Sequence, residues 1–162
     1  MRKINIIYVG GIKSQEKYYS DAVEEYIKRL GAEFKISNIE IKEEQISEKA
    51  GDGEIEAHLK KEGVKILAKT SVGAYKIALC VEGRRMSSED FSMLLYGEKA
   101  VNSQSVDFFI GSSHGLSDSV KKSADCLLSL SDMTFTHRLA RVMLTEQIYR
   151  AFAIETGKKY NK

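Results

Sequence analysis

A glycine- and serine-rich turn in the second half of the chain carries the residue types best suited to chemistry. An apolar run ends at Ile110, the sequence Gly-Ser-Ser-His-Gly occupies residues 111–115, and a helix-like run starts at Ser117. A strand that ends in small residues and leads into a helix is how α/β proteins open a ligand crevice. Because Gly111 and Gly115 have no Cβ, the backbone can turn tightly and approach a bound molecule closely. The alternative is an ordinary strand-to-helix turn.

The same turn has the form G-x-S-x-G of a serine nucleophile elbow. Its central residue, Ser113, follows a predicted strand and precedes a predicted helix, as that motif requires. The chain shows no obvious Asp-to-His succession to complete a triad, so a serine hydrolase centred on Ser113 is a minor alternative. The motifs typical of dinucleotide cofactors and of P-loop nucleotides do not occur in the sequence.

Two other predicted strands end in similar turns, Leu79 to Gly83 and Leu130 to Thr136. Ligands of open α/β sheets bind beyond the carboxyl ends of the strands. Three such loops at one edge of the sheet would surround a nucleoside-sized molecule with backbone N–H and C=O groups. The sequence therefore predicts a small-molecule site at this edge.

Strand and helix patterns alternate along the chain, which predicts an α/β fold with a mainly parallel sheet and helices on both faces. The predicted strands are 4–9, 34–41, 77–81, 106–110 and 126–130. The predicted helices are 18–30, 52–69, one starting at residue 87 or 88, 117–123 and 138–156. Residues 42–53 are predicted to form a mobile loop and residues 82–85 a turn.

Length and composition predict one domain, residues 1–162, with an ordinary globular core. Apolar residues make up 43% and charged residues 30% of the chain. No apolar run is long enough to span a membrane and the N-terminus does not resemble a signal peptide, so we expect a cytoplasmic protein. Cys80 and Cys126 lie in apolar runs and are predicted to be buried hydrophobes, and the scattered His and Cys residues predict no metal site.

The charge distribution is uneven although the net charge is only +2. Residues 38–63 are rich in acidic side chains, and residues 134–162 are rich in Lys and Arg. A polyanion would therefore meet the C-terminal part of the chain, although solvated surface charges are the ordinary explanation.

The chain resembles the RlmH family, SPOUT-class methyltransferases that act on N3 of a pseudouridine in 23S ribosomal RNA. The resemblance extends over essentially the whole chain. Its most specific motifs are 109–116, 129–137, and Arg141-Val142 followed by 146–151.

The resemblance implies a C-terminal trefoil knot, S-adenosylmethionine (SAM) as the methyl donor, a homodimer packed through the last helix, and 23S rRNA of the assembled ribosome as the partner. The positions that correspond to the family's ligand residues are Leu79, Gly111, Leu130, Ser131, Asp132, Met133, Thr134 and Phe135. They fall on the three strand ends identified above. Met133 and Phe135 would otherwise be interpreted as core residues.

Three residues are candidates for catalysis within this resemblance. His137 would accept the imide proton of the acceptor base, or alternatively would cap the last helix. Arg141 would hold an RNA phosphate or stabilise the imide anion, with a surface or interface salt bridge as the alternative. Tyr160 would stack on a base or close the partner's pocket.

Other polar residues are interpreted structurally. Glu146 and Arg150 are four residues apart on one predicted helix and are expected to form an ion pair. His58 and His114 are expected to be exposed polar residues.

Three residues depart from the family pattern. Ser112 and Thr136 occupy positions where Gly and Pro are usual, and Asn161 replaces a histidine that commonly ends the tail. Asn cannot take up a proton near neutral pH. The alternative function is therefore a catalytically weakened relative that binds the ribosome or RNA.

Overall fold

The structure, a computed structural model, describes residues 2–160 and contains one five-stranded sheet. Its strands are β1 (Arg2–Val9), β2 (Phe34–Ile41), β3 (Ala74–Arg85), β4 (Ser105–Ile110) and β5 (Cys126–Ser129). They lie in the order β2-β1-β4-β3-β5, and each neighbouring pair is parallel. The predicted mainly parallel sheet is confirmed.

Helices connect the strands, as a parallel sheet requires. They are α1 (Lys17–Leu30), α2 (Asp52–Ala68), α3 (Ser88–Tyr96), α4 (Glu98–Asn102), α5 (Asp118–Ser123) and α6 (His137–Glu155), with a short 3₁₀ turn (Ser14–Glu16) before α1. Hydroxyl groups of Ser87, Ser117 and Thr136 cap the N-termini of α3, α5 and α6. The helix α4 was not predicted from the sequence.

Apolar side chains on both faces of the sheet are buried, which confirms the prediction of helices on both sides. Alternate residues of β1 face opposite ways, as the strand period of two requires. Ile6 and Tyr8 pack with residues of α1, α3 and α6, whereas Ile7 and Val9 pack with residues of α2 and α5.

The turn predicted at residues 82–85 is wrong, because β3 continues to Arg85. Leu79 and Arg84 both pair with Leu128, so the intervening residues bulge out of the ladder. A Cβ on Gly83 would lie 2.6 Å from the carbonyl carbon of Leu128. The charged sequence Glu-Gly-Arg-Arg has low strand propensity, and its strand conformation depends on this tertiary pairing.

Asp107 is the polar exception within the otherwise apolar strand β4, and it is fully buried. Its carboxylate accepts hydrogen bonds from Asn5 Nδ2 (2.6 Å), Ser105 Oγ (2.8 Å) and the Ser71 amide (2.8 Å). These bonds satisfy a group that would otherwise be costly to bury.

Two further sequence predictions concern burial and membrane association. Cys80 and Cys126 are free thiols. They were predicted to be buried, but both are half-buried. Within residues 2–160, no helix combines the length and the apolar character needed to cross a membrane.

Candidate functional site

The carboxyl ends of β3, β4 and β5 enclose a cavity of about 670 Å³. Most of its lining comes from the segments 79–82, 110–116 and 128–138, which are the three strand ends singled out in the sequence. Small-molecule sites commonly measure about 300–1,000 Å³. The cavity is therefore large enough for a nucleoside-sized ligand.

The cavity brings together most of the predicted ligand positions. Its lining includes Leu79, Gly111, Leu130, Ser131, Met133, Thr134 and Phe135. Met133 is 73% exposed, so the core interpretation of this residue is wrong. Asp132 is outside the lining, and its carboxylate forms an exposed ion pair with Arg85.

The loop 111–115 forms one wall of the cavity and makes a tight turn that brings Gly111 close to Gly115. A Cβ on Gly111 would lie 2.0 Å from the Gly115 carbonyl oxygen, so only glycine fits this backbone. The Gly115 amide donates to the Ser112 carbonyl at 2.9 Å, and Gly115 itself has a φ of 88°. Such a turn requires glycine at both ends.

A buried carboxyl group lies behind this loop. Glu62 of α2 is 2% exposed and accepts a hydrogen bond from Ser112 Oγ at 2.9 Å. Its other oxygen lies 3.2 Å from His58 Nε2. Burial raises the pKa of Glu62, opposed in part by the Ser112 hydrogen bond and by His58.

The prediction that His58 is an exposed residue is wrong, because its side chain is only 10% exposed. His58 lies one helical turn before Glu62, on the face of α2 that packs inward. Glu62 continues the spacing of Leu59 and Ile66 on that face, and this periodicity is the sequence signal that could have identified it. His114 is exposed, as predicted.

His137 is the first residue of α6 and lines the cavity. Its Nε2 is buried and has no hydrogen-bond partner among residues 2–160. Burial lowers the pKa of His137, and the neighbouring Arg138 charge lowers it further. Thr136, not His137, caps the helix through a bond from the Leu139 amide (3.3 Å), so the capping interpretation of His137 is wrong.

Arg141 lies one turn further along α6 and does not line the cavity. It is 7% exposed, and its guanidinium carbon lies 4.2 Å from the centroid of the Tyr8 ring. Its Nε is buried without a hydrogen-bond partner, and no described carboxylate forms an ion pair with it. The surface salt bridge considered for Arg141 is therefore not present within residues 2–160.

Tyr160 packs against α6 and does not line the cavity of its own chain. Its hydroxyl donates to Glu146 Oε1 at 3.1 Å, and its ring lies 4.7 Å from that of Tyr149. Glu146 also forms the predicted ion pair with Arg150, at 2.6 Å. Asn161, which replaces the histidine that commonly ends the tail in the RlmH family, lies outside the described residues.

Within residues 2–160, the structure forms neither a serine triad at Ser113 nor a cluster of metal ligands. Ser113 Oγ lies 3.3 Å from His114 Nδ1, but both side chains are exposed and no described carboxylate hydrogen bonds to that imidazole. A serine triad is therefore not formed there. Across residues 2–160, no three His, Cys, Asp or Glu side chains are grouped to hold a metal ion.

Comparison with known proteins relates the chain to methyltransferases. Residues 2–161 match the family model described as predicted SPOUT methyltransferase. The chain is 44% identical over 160 residues to ribosomal RNA large subunit methyltransferase H of Streptococcus thermophilus, covering 99% of each chain. It is 48% identical to the protein of the same name from Caldicellulosiruptor bescii, over 98% of this chain and 99% of the other.

One solved structure supports the fold. It is described as a probable methylase family protein from Haemophilus influenzae Rd KW20, and the TM-score is 0.50 at 13% sequence identity. The similarity covers 97% of this chain and 67% of that one.

Proposed function

This chain belongs to the SPOUT methyltransferase family and is similar over its whole length to ribosomal RNA large subunit methyltransferase H. We propose that it methylates N3 of a pseudouridine in 23S rRNA, with SAM as the methyl donor. The observation that carries this proposal is the cavity at the three strand ends, with His137 in its wall. Its size suits a nucleoside-sized donor, and the unpartnered His137 nitrogen supplies a base.

The residues around the cavity fit the donor chemically. Bound SAM supplies a methyl group on a positively charged sulfur. The apolar side chains of Leu79, Leu130 and Phe135 would pack against the adenine, and backbone groups of the loops at Gly111 and at 131–134 would form its hydrogen bonds. The Asp132 carboxylate is held by Arg85, so we assign its side chain no ligand role.

His137 is the proposed proton acceptor for the RNA base. N3 of pseudouridine belongs to a weakly acidic imide, whose proton must leave when the nitrogen becomes methylated. The His137 Nε2 is buried in the free protein, so the proposal requires that RNA binding exposes it. A neutral imidazole can then take the proton, and burial keeps His137 neutral to lower pH than an exposed histidine. Holding the acceptor and the donor in line would supply much of the rate.

Arg141 is proposed to act through its charge and its contact with Tyr8. Because Arg141 is 7% exposed, it offers little surface for an RNA phosphate. Its positive field near the end of β1 would favour an imide anion, and its contact with the Tyr8 ring would fix the end of that strand.

The position of Tyr160 supports a homodimer as the working form. The tail is held on α6, so we propose that Tyr160 closes the cavity of a second copy packed through the last helix. We also propose that the chain is a single cytoplasmic domain with a C-terminal trefoil knot, acting on the assembled ribosome. The small, weakly charged surface offers little area to recognise free RNA.

Mass spectrometry of rRNA nucleosides tests this function. The methylated pseudouridine should be lost when the gene is deleted, return with the wild-type gene, and stay absent with a gene encoding His137→Ala. Calorimetric titration with SAM tests the donor separately. No binding at millimolar SAM would remove the donor from the proposal.

A catalytically weakened ribosome-binding relative is the second candidate, favoured by Asn161 in place of the usual tail histidine. It predicts SAM or ribosome binding without methyl incorporation into ribosomes that lack the modification. The variant Asn161→His would then increase incorporation only if the tail takes part in catalysis.

A further inference from the structure

Two consecutive residues of α2 lie against Ser112, in the loop that forms one cavity wall, and against Ser117, two residues beyond that loop. Glu62 accepts the hydrogen bond from Ser112 at the start of the loop. A Cβ on Gly63 would lie 2.3 Å from Ser117 Oγ, so this glycine lets α2 approach the residue that caps α5. The helix α2 therefore contacts the wall from behind at Ser112 and packs against Ser117, just beyond the wall.

Ser112 is the buried side-chain anchor of the loop 111–115. Gly111 and Gly115 have no side chain, and Ser113 and His114 are exposed. The Ser112 hydroxyl is buried and bonds to a carboxyl group that is itself buried. A hydrogen bond to a buried acidic group is stronger than an exposed one and costly to lose, because its loss leaves a polar group unsatisfied.

The surroundings of Glu62 make it the link between α2 and the loop. Its Oε2 accepts from Ser112, and its Oε1 lies 3.2 Å from His58 Nε2. The further charges near this pair are Glu43, which raises the pKa of Glu62, and Glu44, which is paired with Lys65.

We propose that Glu62 is a positioning residue of the methyl-donor site, acting through its hydrogen bond with Ser112. The proposal rests on the function proposed above, because the loop that Glu62 holds carries Gly111 in the cavity wall. When the Ser112–Glu62 bond is removed, the loop samples other conformations, and reordering it opposes binding. The affinity for any ligand that contacts this wall therefore falls.

The test uses full-length protein and the variants Ser112→Ala, Glu62→Ala and Glu62→Gln. A glutamine keeps an acceptor oxygen for the Ser112 hydroxyl and so separates the hydrogen bond from the charge. The matched control is Glu56→Ala, earlier on α2, whose carboxylate pairs with Lys60 on the exposed face. The measurements are dissociation constants for SAM and for S-adenosylhomocysteine by calorimetry, and amide hydrogen exchange at residues 111–115.

Ser112→Ala and Glu62→Ala should weaken both ligands alike, by about tenfold, which corresponds to one hydrogen bond of ordinary strength. Exchange of the Gly115 amide should accelerate, while β1 amides stay protected and report that the sheet is folded. Glu62→Gln and Glu56→Ala should remain close to wild type in both measurements. Should Glu62→Ala not fold, Ser112→Ala and Glu62→Gln still decide the question.

Unchanged affinity and exchange in Ser112→Ala would overturn the positioning role. A loss confined to SAM, with S-adenosylhomocysteine unaffected, would also overturn it, because such a loss would depend on the sulfonium and its methyl group rather than on the shared contacts with the wall. Failure of the wild-type protein to bind either ligand would instead contradict the proposed function.

Discussion

The hydroxyl of Tyr160 donates a hydrogen bond to Glu146, which places the C-terminal tail on the middle of α6. Glu146 comes nine residues after His137 in the same helix, a separation of about 14 Å along the helix axis at 1.5 Å per residue. The Tyr160 ring also packs on Tyr149 and lies 4.8 Å from the Arg150 guanidinium carbon. Tyr160 is not among the residues that line the cavity of its own chain, so the proposed role for it concerns the cavity of a second copy.

Mixed dimers of two inactive variants should recover activity. In a dimer of one His137→Ala chain and one Tyr160→Ala chain, one cavity keeps its own His137 and receives the intact Tyr160 of the other chain. We expect about half of the wild-type methyl incorporation, because one of two symmetric sites is complete. The measurement is incorporation into unmodified ribosomes after co-expression with two affinity tags.

The controls for this experiment are the two parent homodimers, each of which should be inactive. If Tyr160 served the cavity of its own chain, both cavities of the mixed dimer would be defective. An inactive mixed dimer would therefore contradict the exchange of tails.

The pKa of His137 should lie below its usual value of 6.5. Burial disfavours the charged imidazolium and Arg138 repels it, so the folded protein binds this proton only at lower pH. The acid limb of kcat/KM should accordingly lie below pH 6.5, since the proposed base acts as the neutral imidazole. Proton NMR of the His137 ring in the free protein, assigned with His137→Gln, measures the midpoint directly.

The substitution Arg138→Gln should move this midpoint upward by removing the positive charge. Arg29→Gln, at the exposed end of α1, is the matched control and should leave it unchanged. A midpoint at or above 6.5 in the wild-type protein would show that burial does not control this histidine.

Patterns along the sequence predicted the sheet and the three strand ends that line the cavity, because both depend on local signals. The apolar runs of β1 and β4, and the glycines at 111 and 115, specify strands and a turn whatever surrounds them. The continuation of β3 to Arg85 was missed, since its charged end becomes a strand only by pairing with Leu128 across a bulge.

The contacts behind the cavity could not be predicted for the same reason. Glu62 and Ser112 are fifty residues apart, and their hydrogen bond exists only because α2 packs beside the end of β4. Arg141 shows the same difficulty, since an arginine in a basic helix gives no sign that it will stack on Tyr8. The prediction that the chain is a methyltransferase came from the resemblance to the RlmH family. Hydrophobic periodicity alone does not indicate that activity.

Asp107→Ala should destabilise the fold without altering the cavity directly. The substitution removes an acceptor of three hydrogen bonds and leaves the donors Asn5, Ser105 and Ser71 buried or partly buried. We expect the free energy of unfolding to fall by about 3 kcal/mol, measured by urea denaturation. Asp21→Ala, which breaks only an exposed pair with Lys17, should cost about 0.5 kcal/mol or less. Equal effects of the two substitutions would show that the buried network contributes no more than a surface pair.

Gly111→Ala should weaken donor binding. The new methyl group would lie 2.0 Å from the Gly115 carbonyl oxygen and 2.4 Å from its carbon, so the turn must open. Opening displaces the cavity wall, and we expect the dissociation constant for SAM to rise at least about tenfold, since small misplacements in a preorganised site are costly. Gly51→Ala is the matched control, because Gly51 has a negative φ and no atom lies within 4 Å of the position that its new methyl group would occupy. Retention of wild-type affinity in Gly111→Ala, with the β1 amides still protected, would show that the turn at 111–115 is not part of the donor site.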